Sequence, residues 1–328
     1  IDDLLSQTMN GLTFEEREEH QDVIHGVDGK KVVEDDNFLE CELQELESHI
    51  ASSKNGSVYE MAESLDPAYV SARAFRLMFL RANEYDAIAA AAQMIKFFET
   101  KHRLFGIDKL VKDITIADLD DDDITCLKAS FIQLAGRDRS GRQITVRFGG
   151  FVGGQVPPKA TMQNFFRVQY YVTMKGLQSE ETQIRGVVSI WYAIGKLKPK
   201  SHTGFLERFK FGRALPQKMA AIHVCVDDPR QFALCSVMVK AMKTNIRARL
   251  RLHLGSPTEC QYQLSTYGIL PQSLPVDAHG NINLDRHLRW VRSCAMEEKF
   301  GSAISSPRAV ESIITPCEDD VLFTGGKV

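Results

Sequence analysis

Apolar residues follow one rhythm in the first third of the chain and another beyond it. Early on they recur every three to four positions, the spacing of a helix with one buried face. In the stretch 38–50 the residues Phe38, Leu39, Leu43, Leu46 and Ile50 form one stripe, which predicts a helix capped by Asn37. The segment "TFEEREEHQDVIHG", with Thr13 as N-cap, predicts another helix before it, and "SSKNGS" at 52–57 reads as a joint. From Pro67 to Phe105 one face carries Phe75, Met78, Phe79 and Ala82 and a second carries Ile88, Ala91, Ile95 and Phe98. Asp86 is placed to start the second of these helices and Gly106 to end it. The acidic run "ADLDDDDIT" lacks the glycine and the closing glutamate of a calcium loop, so it predicts a turn that caps the helix "ITCLKASFIQLA".

After the polar turn "GRDRSGRQ" strand and helix patterns alternate. "ITVRFGGF", "GVVSIWYAIG" and "MAAIHVCVDDP" read as strands, the second almost wholly apolar. Between and after them "ATMQNFFRVQYYVTMKG", "SHTGFLERFKFGRALP" and "RQFALCSVMVKAMKT" read as helices. "NIRARLRLHLG" alternates strictly, apolar at Ile246, Ala248, Leu250, Leu252 and Leu254 and cationic or imidazole at Arg247, Arg249, Arg251 and His253. Such alternation predicts an α/β fold: a helical lead-in, then a mixed, mainly parallel sheet flanked by helices, with strands buried on both faces. The expected organisation is an acidic helical segment at 1–58, a helical subdomain at 59–134, the α/β domain at 135–296 and a tail of low periodicity at 297–328.

Charge adds one feature that the pattern does not show. The 328 residues carry a net charge of −3, yet residues 1–60 hold 16 Asp and Glu against 4 Lys and Arg, a net −12. The remainder is therefore basic, net +9, which suits phosphate-bearing surfaces, and the acidic helices offer a surface to a protein partner. Seven scattered cysteines without a C-x-x-C spacing suggest neither a disulfide framework nor a zinc site. The opening residues lack a secretory pattern and no long apolar run occurs, so a cytoplasmic setting is expected.

Catalytic motifs fail on inspection. "HVCVDDPR" sets four residues between Cys225 and Arg230, one fewer than a cysteine phosphatase needs, and puts two aspartates where phosphate would sit. Nucleophile-elbow, P-loop and dinucleotide fingerprints are missing, and "FGGFVGGQVPP" reads as a loop. No aromatic platform accompanies the arginines, which argues against nucleic acid. The expectation is a protein that is not an enzyme, with no cofactor and no metal.

Several phrases in order resemble the CRAL-TRIO lipid-binding domain, the fold of retinaldehyde-binding, tocopherol-transfer and phosphatidylinositol-transfer proteins. They are Phe79, Leu80, Arg81, Ala82, Tyr85, Asp86, Ala90 and Met94 in "MFLRANEYDAIAAAAQM"; Asp138, Gly141, Arg142 and Ile144; "VVSIWYAIG" with Gly195; Asp227, Pro229 and Phe232; and Leu274, Pro275 and Gly280. The resemblance spans about residues 70–285. Tyr192 stands where the family usually has Asp and His279 where it has Gly. Gly212 stands where phosphatidylinositol binders carry an acidic residue opposite a cation such as Arg249, so half of that headgroup clamp is missing.

The resemblance implies a bound lipid in an apolar pocket beneath a gate helix, moved between membranes or presented at one. On this reading the pocket is expected to be lined by Val188, Ile190, Tyr192, Ile194, Leu206, Phe209, Val224, Val226, Phe232, Leu234, Val237 and Met238. Arg247, Arg249 and Arg251 are the expected phosphate contacts; the plainer alternative is a half-buried strand with solvated arginines. Lys196, Lys198, Lys200, Phe205, Arg208, Lys210 and Phe211 are expected to touch an anionic membrane transiently. The rival reading is a protein-interaction module that keeps the fold without lipid exchange.

Overall fold

The computed structural model describes residues 34–54, 56–148, 160–195, 205–240 and 249–300, with the backbone alone for 205–209 and Met238. The predicted helix at Thr13 lies outside these residues. Helix α1 (Asp36–Ser53) is capped two residues earlier than the pattern suggests: the Asp35 carboxylate, on extended backbone, accepts from the Phe38 amide at 2.8 Å. Its Leu39, Leu46 and Ile50 are buried against α5, so the acidic helix is part of the body.

Helices α2 (Val58–Leu65), α3 (Pro67–Ser71), α4 (Arg73–Ala82) and α5 (Ala87–Phe105) complete this layer. Asp86 caps α5 through the Ala89 amide at 2.9 Å, and Gly106 ends it at a φ of 78°. Its core is aromatic, with Phe75–Phe79 and Phe79–Phe97 centroids both 5.3 Å apart and edge to face, the arrangement that ring quadrupoles favour. Helix α6 (Asp121–Ala129) opens on the acidic turn as expected, Asp120 accepting from the Asp123 amide at 2.7 Å.

The helix predicted through "FIQLA" stops earlier. Ser130 takes a left-handed φ of 54°, and the alternation beyond it forms β1 (Ile132–Arg137). A tight turn leads to β2 (Gln143–Phe148), antiparallel to β1. The buried Asp138 carboxylate accepts from the amides of Ser140 at 3.0 Å and Arg142 at 2.8 Å, and from Arg142 Nε at 2.8 Å. Gly141, at a φ of 75°, lets the chain reverse inside that bracket.

Strands β3 (Val187–Ala193), β4 (Met219–Val226) and β5 (Leu250–Leu254) then add in parallel, giving one five-stranded sheet in the order β1-β2-β3-β4-β5. Helices α7 (Met162–Gly176) and α8 (Glu180–Arg185) lie between β2 and β3, α9 (Phe205–Ala214) between β3 and β4, and α10 (Pro229–Lys240) between β4 and β5. After β5, α11 (Pro257–Ser265) packs on the opposite side, and α12 (Leu284–Phe300) returns Val291 and Cys294 to the helical core. Among the described residues no helix is long and apolar enough to cross a membrane.

Candidate functional site

The two faces of the sheet are built differently. Because side chains alternate along a strand, Ile144, Val146 and Phe148 of β2 share a face with Val188, Ile190 and Tyr192 of β3 and Ala221 and Cys225 of β4. Cys260 and Leu264 of α11, with Ile269, Leu274 and Val276, close that face, and every one of these residues is buried.

The opposite face carries Thr145 and Arg147, Ser189, Trp191 and Ala193, Ile222, Val224 and Val226, then Leu250 and Leu252. Phe232 and Cys235 of α10 pack over its apolar part. Here Arg147, Trp191, Ile222, Leu250, Leu252, Phe232 and Cys235 all keep accessible surface, although the first three stand on interior strands. Coverage on this side is incomplete.

Arg147 is the unusual member. Its Nη1 donates to Ser189 Oγ at 2.9 Å, its Nε is shut from solvent without an acceptor, and no described carboxylate lies within ion-pair range. The residue as a whole is half-buried, but the packed surroundings of its guanidinium lower its pKa to about 10, because a low-dielectric setting disfavours the cation. Thr145, beside Ser189 in the strand register, has a buried hydroxyl with no partner.

Helix α7 adds to this polar patch. Gly176 sits against Leu134, which pairs in register with Thr145 and so shares its face. One turn back along the same stripe the Thr173 hydroxyl is buried and unpartnered. Gln169, a further turn back, is buried too, and its side chain makes no hydrogen bond among the described residues.

The expected lining divides across the sheet. Val188, Ile190, Tyr192 and Ile194 belong to the closed face, whereas Val224, Val226 and Phe232 belong to the open one, so these two sets cannot line one cavity. Trp191, Ile222, Leu250 and Leu252 stand with the second set instead. Leu234 and Val237 are 40% and 66% exposed on the outside of α10. The side chains of Leu206, Phe209 and Met238 lie outside the described residues.

Of the expected cationic row, the two described arginines are both engaged with protein groups. Arg249 Nη2 donates to Glu84 at 2.6 Å and its Nη1 to the Met219 carbonyl at 2.9 Å. Arg251 lies in register with His223, on the closed face, and its Nη1 donates to the Leu250 carbonyl at 3.0 Å. His253 is buried there, its Nε2 2.8 Å from His223 Nδ1 and its Nδ1 3.0 Å from Gln263 Oε1. Both faces of β5 are thus in contact with protein, which the alternation alone does not reveal. Arg247 lies outside the described residues.

Of the expected membrane contacts, Lys210 is exposed but Phe211 is buried, stacked on Phe166 with centroids 4.7 Å apart. Lys196, Lys198 and Lys200, and the side chains of Phe205 and Arg208, lie outside the described residues. Among the described residues no group of three metal-ligating side chains occurs. No protein-family model matches the chain, and no curated protein is significantly similar to it.

Proposed function

We propose that the protein binds a lipid or another hydrophobic guest on the sheet face beneath α10 and carries it to, or presents it at, an anionic membrane. One observation supports this most directly: Arg147, Trp191, Ile222, Leu250 and Leu252 of that face keep accessible surface, while the apolar strand residues of the opposite face are buried. A finished core fills such space with side chains, since interiors pack as densely as organic crystals. An acyl chain supplies the missing contacts at about 0.8 kcal/mol per buried methylene.

Helix α10 is suited to act as the cover. It turns Phe232 and Cys235 inward and leaves Leu234 and Val237 outward, so apolar groups face both the sheet and the surroundings. At a membrane the outward pair can enter the interface while the inward pair releases the guest. The motif residues Asp227 and Gly195 tie the start of this helix to the end of β3, through the Gly195 amide donating to the Asp227 carboxylate at 2.8 Å. In this reading the protein is a carrier rather than a catalyst.

Native mass spectrometry of the purified protein tests the proposal, together with transfer of a fluorescent phospholipid between vesicles. A co-purifying lipid mass and accelerated transfer are expected. Protein of bare polypeptide mass that also fails to load from vesicles refutes a carrier and favours the alternative, a protein-interaction module displaying Leu234 and Val237.

A further inference from the structure

Resting on the lipid-binding reading, we infer that the guest has an oxyanion head, a carboxylate or phosphate, which enters first and is held inside the protein by Arg147, Ser189 and Thr145. The acyl chain then runs along Trp191, Ile222 and Leu252 beneath α10.

Arg147 carries a charge that no described side chain balances. A buried guanidinium carries five N–H donors and cannot shed its proton at neutral pH, so it is costly unless an anion or a set of acceptors faces it. Here one donor reaches Ser189 Oγ, the enclosed Nε reaches nothing, and no described carboxylate compensates the charge. The other deeply placed arginines are matched: Arg142 pairs with Asp138, and Arg81 with Glu34 and Glu180. Arg147 is the exception, and it lies on the open face.

Its neighbours suit an oxyanion. The Thr145 hydroxyl, unpartnered beside Ser189, is free to donate to a second oxygen. Gln169 and Thr173 bring an amide and a hydroxyl from α7 on the same side of the sheet. Arginine matches carboxylate and phosphate oxygens through two parallel N–H bonds, whereas an uncharged alcohol head gives it one acceptor. The adjoining Trp191, Val224, Leu250 and Leu252 are apolar, as an attached hydrocarbon chain requires.

Titration with three single-chain probes of equal chain length delivered from cyclodextrin tests this: oleate, oleyl phosphate and oleyl alcohol, followed by tryptophan fluorescence. At least one of the two anions is expected to bind about tenfold tighter than the alcohol, the scale of a charged hydrogen bond. Oleate alone being preferred assigns a carboxylate head, and oleyl phosphate alone a phosphate head. Arg147→Met should abolish the preference by weakening the anions far more than the alcohol, while Arg147→Lys should keep part of it. The ligand-free Arg147→Met protein should melt no lower than wild type, because the substitution removes an uncompensated charge. Equal binding of all three probes by the wild-type protein overturns the anion site but leaves the carrier standing. Binding of none overturns both.

Discussion

Replacing one isoleucine on each face of the sheet measures whether the open face is open. Ile190 on β3 and Ile222 on β4 both lie on interior strands, and each loses three carbon atoms on change to alanine. Ile190 is 1% exposed within the sealed cluster. Its loss should cost about 3–4 kcal/mol, from roughly 0.8 kcal/mol per methylene plus a cavity term. Ile222 keeps accessible surface, so fewer contacts are lost and water or a guest can fill the gap. About 1 kcal/mol is expected there. With an m-value of about 3 kcal/mol per molar in urea, the midpoints should fall by about 1.2 M and 0.3 M respectively. Measured on delipidated protein, the m-value should not change. Retention of a single-chain lipid should fall for Ile222→Ala and hold for Ile190→Ala. Equal losses of stability would show that both faces are ordinary packed core and remove the ground for a carrier.

Two further tests bear on residues whose roles sequence and structure assign differently. Phe211→Ala should lower stability by about 3 kcal/mol because Phe211 stacks on Phe166, whereas Lys210→Ala should change a thermal melt by less than about 0.5 kcal/mol; the reverse order would restore Phe211 to the surface. Burial lowers the pKa of His253 and of His287, the latter despite its hydrogen bond to the Leu127 carbonyl. The unfolded chain therefore binds more protons, and stability present above the unfolded pKa of about 6.5 is lost as pH falls through it. Urea midpoints should drop between about pH 7.5 and 5.5, and His287→Leu should flatten that slope; an unchanged slope would show that His287 does not titrate on unfolding.

Local chemistry made much of the fold legible. Asp86, Asp120 and Gly106 cap helices where the sequence suggests, since a cap is decided by a side chain and the few amides next to it. The stripe Leu39, Leu46 and Ile50 was readable for the same reason. Phase on the sheet was not. "VVSIWYA" is apolar at nearly every position, so nothing in it says whether Trp191 or Tyr192 faces the open side. "ITVRF" did carry a signal, polar Thr145 and Arg147 alternating with Ile144, Val146 and Phe148, and ordinary reasoning turns such a polar side to solvent. In this fold helices cover it instead. In β5 the alternation was real, but whether Arg249 meets Glu84 or a ligand is decided by the turn between α4 and α5, 165 positions earlier in the chain.

Topology explains why one face is sealed and the other is not. Strands β2 to β5 follow one another in parallel, and crossovers of one hand place their linking helices on a single side. Those helices must therefore cover four strands while also spanning from each strand to the next, and α10 is tethered at both ends to neighbouring strands β4 and β5. The far side carries no such duty: α11 and the segment after it are laid down once the sheet is complete and can seat Cys260, Leu264 and Ile269 without bridging strands. Under the carrier proposal this division of labour is useful, because the sealed face keeps the sheet rigid while the bridging helix moves. Lid motion then breaks, among the described residues, the apolar contacts of Phe232 and Cys235, at a cost an entering acyl chain offsets by replacing them, and the hydrogen bond from Gly195 to Asp227 holds the near end of the helix in place as a pivot.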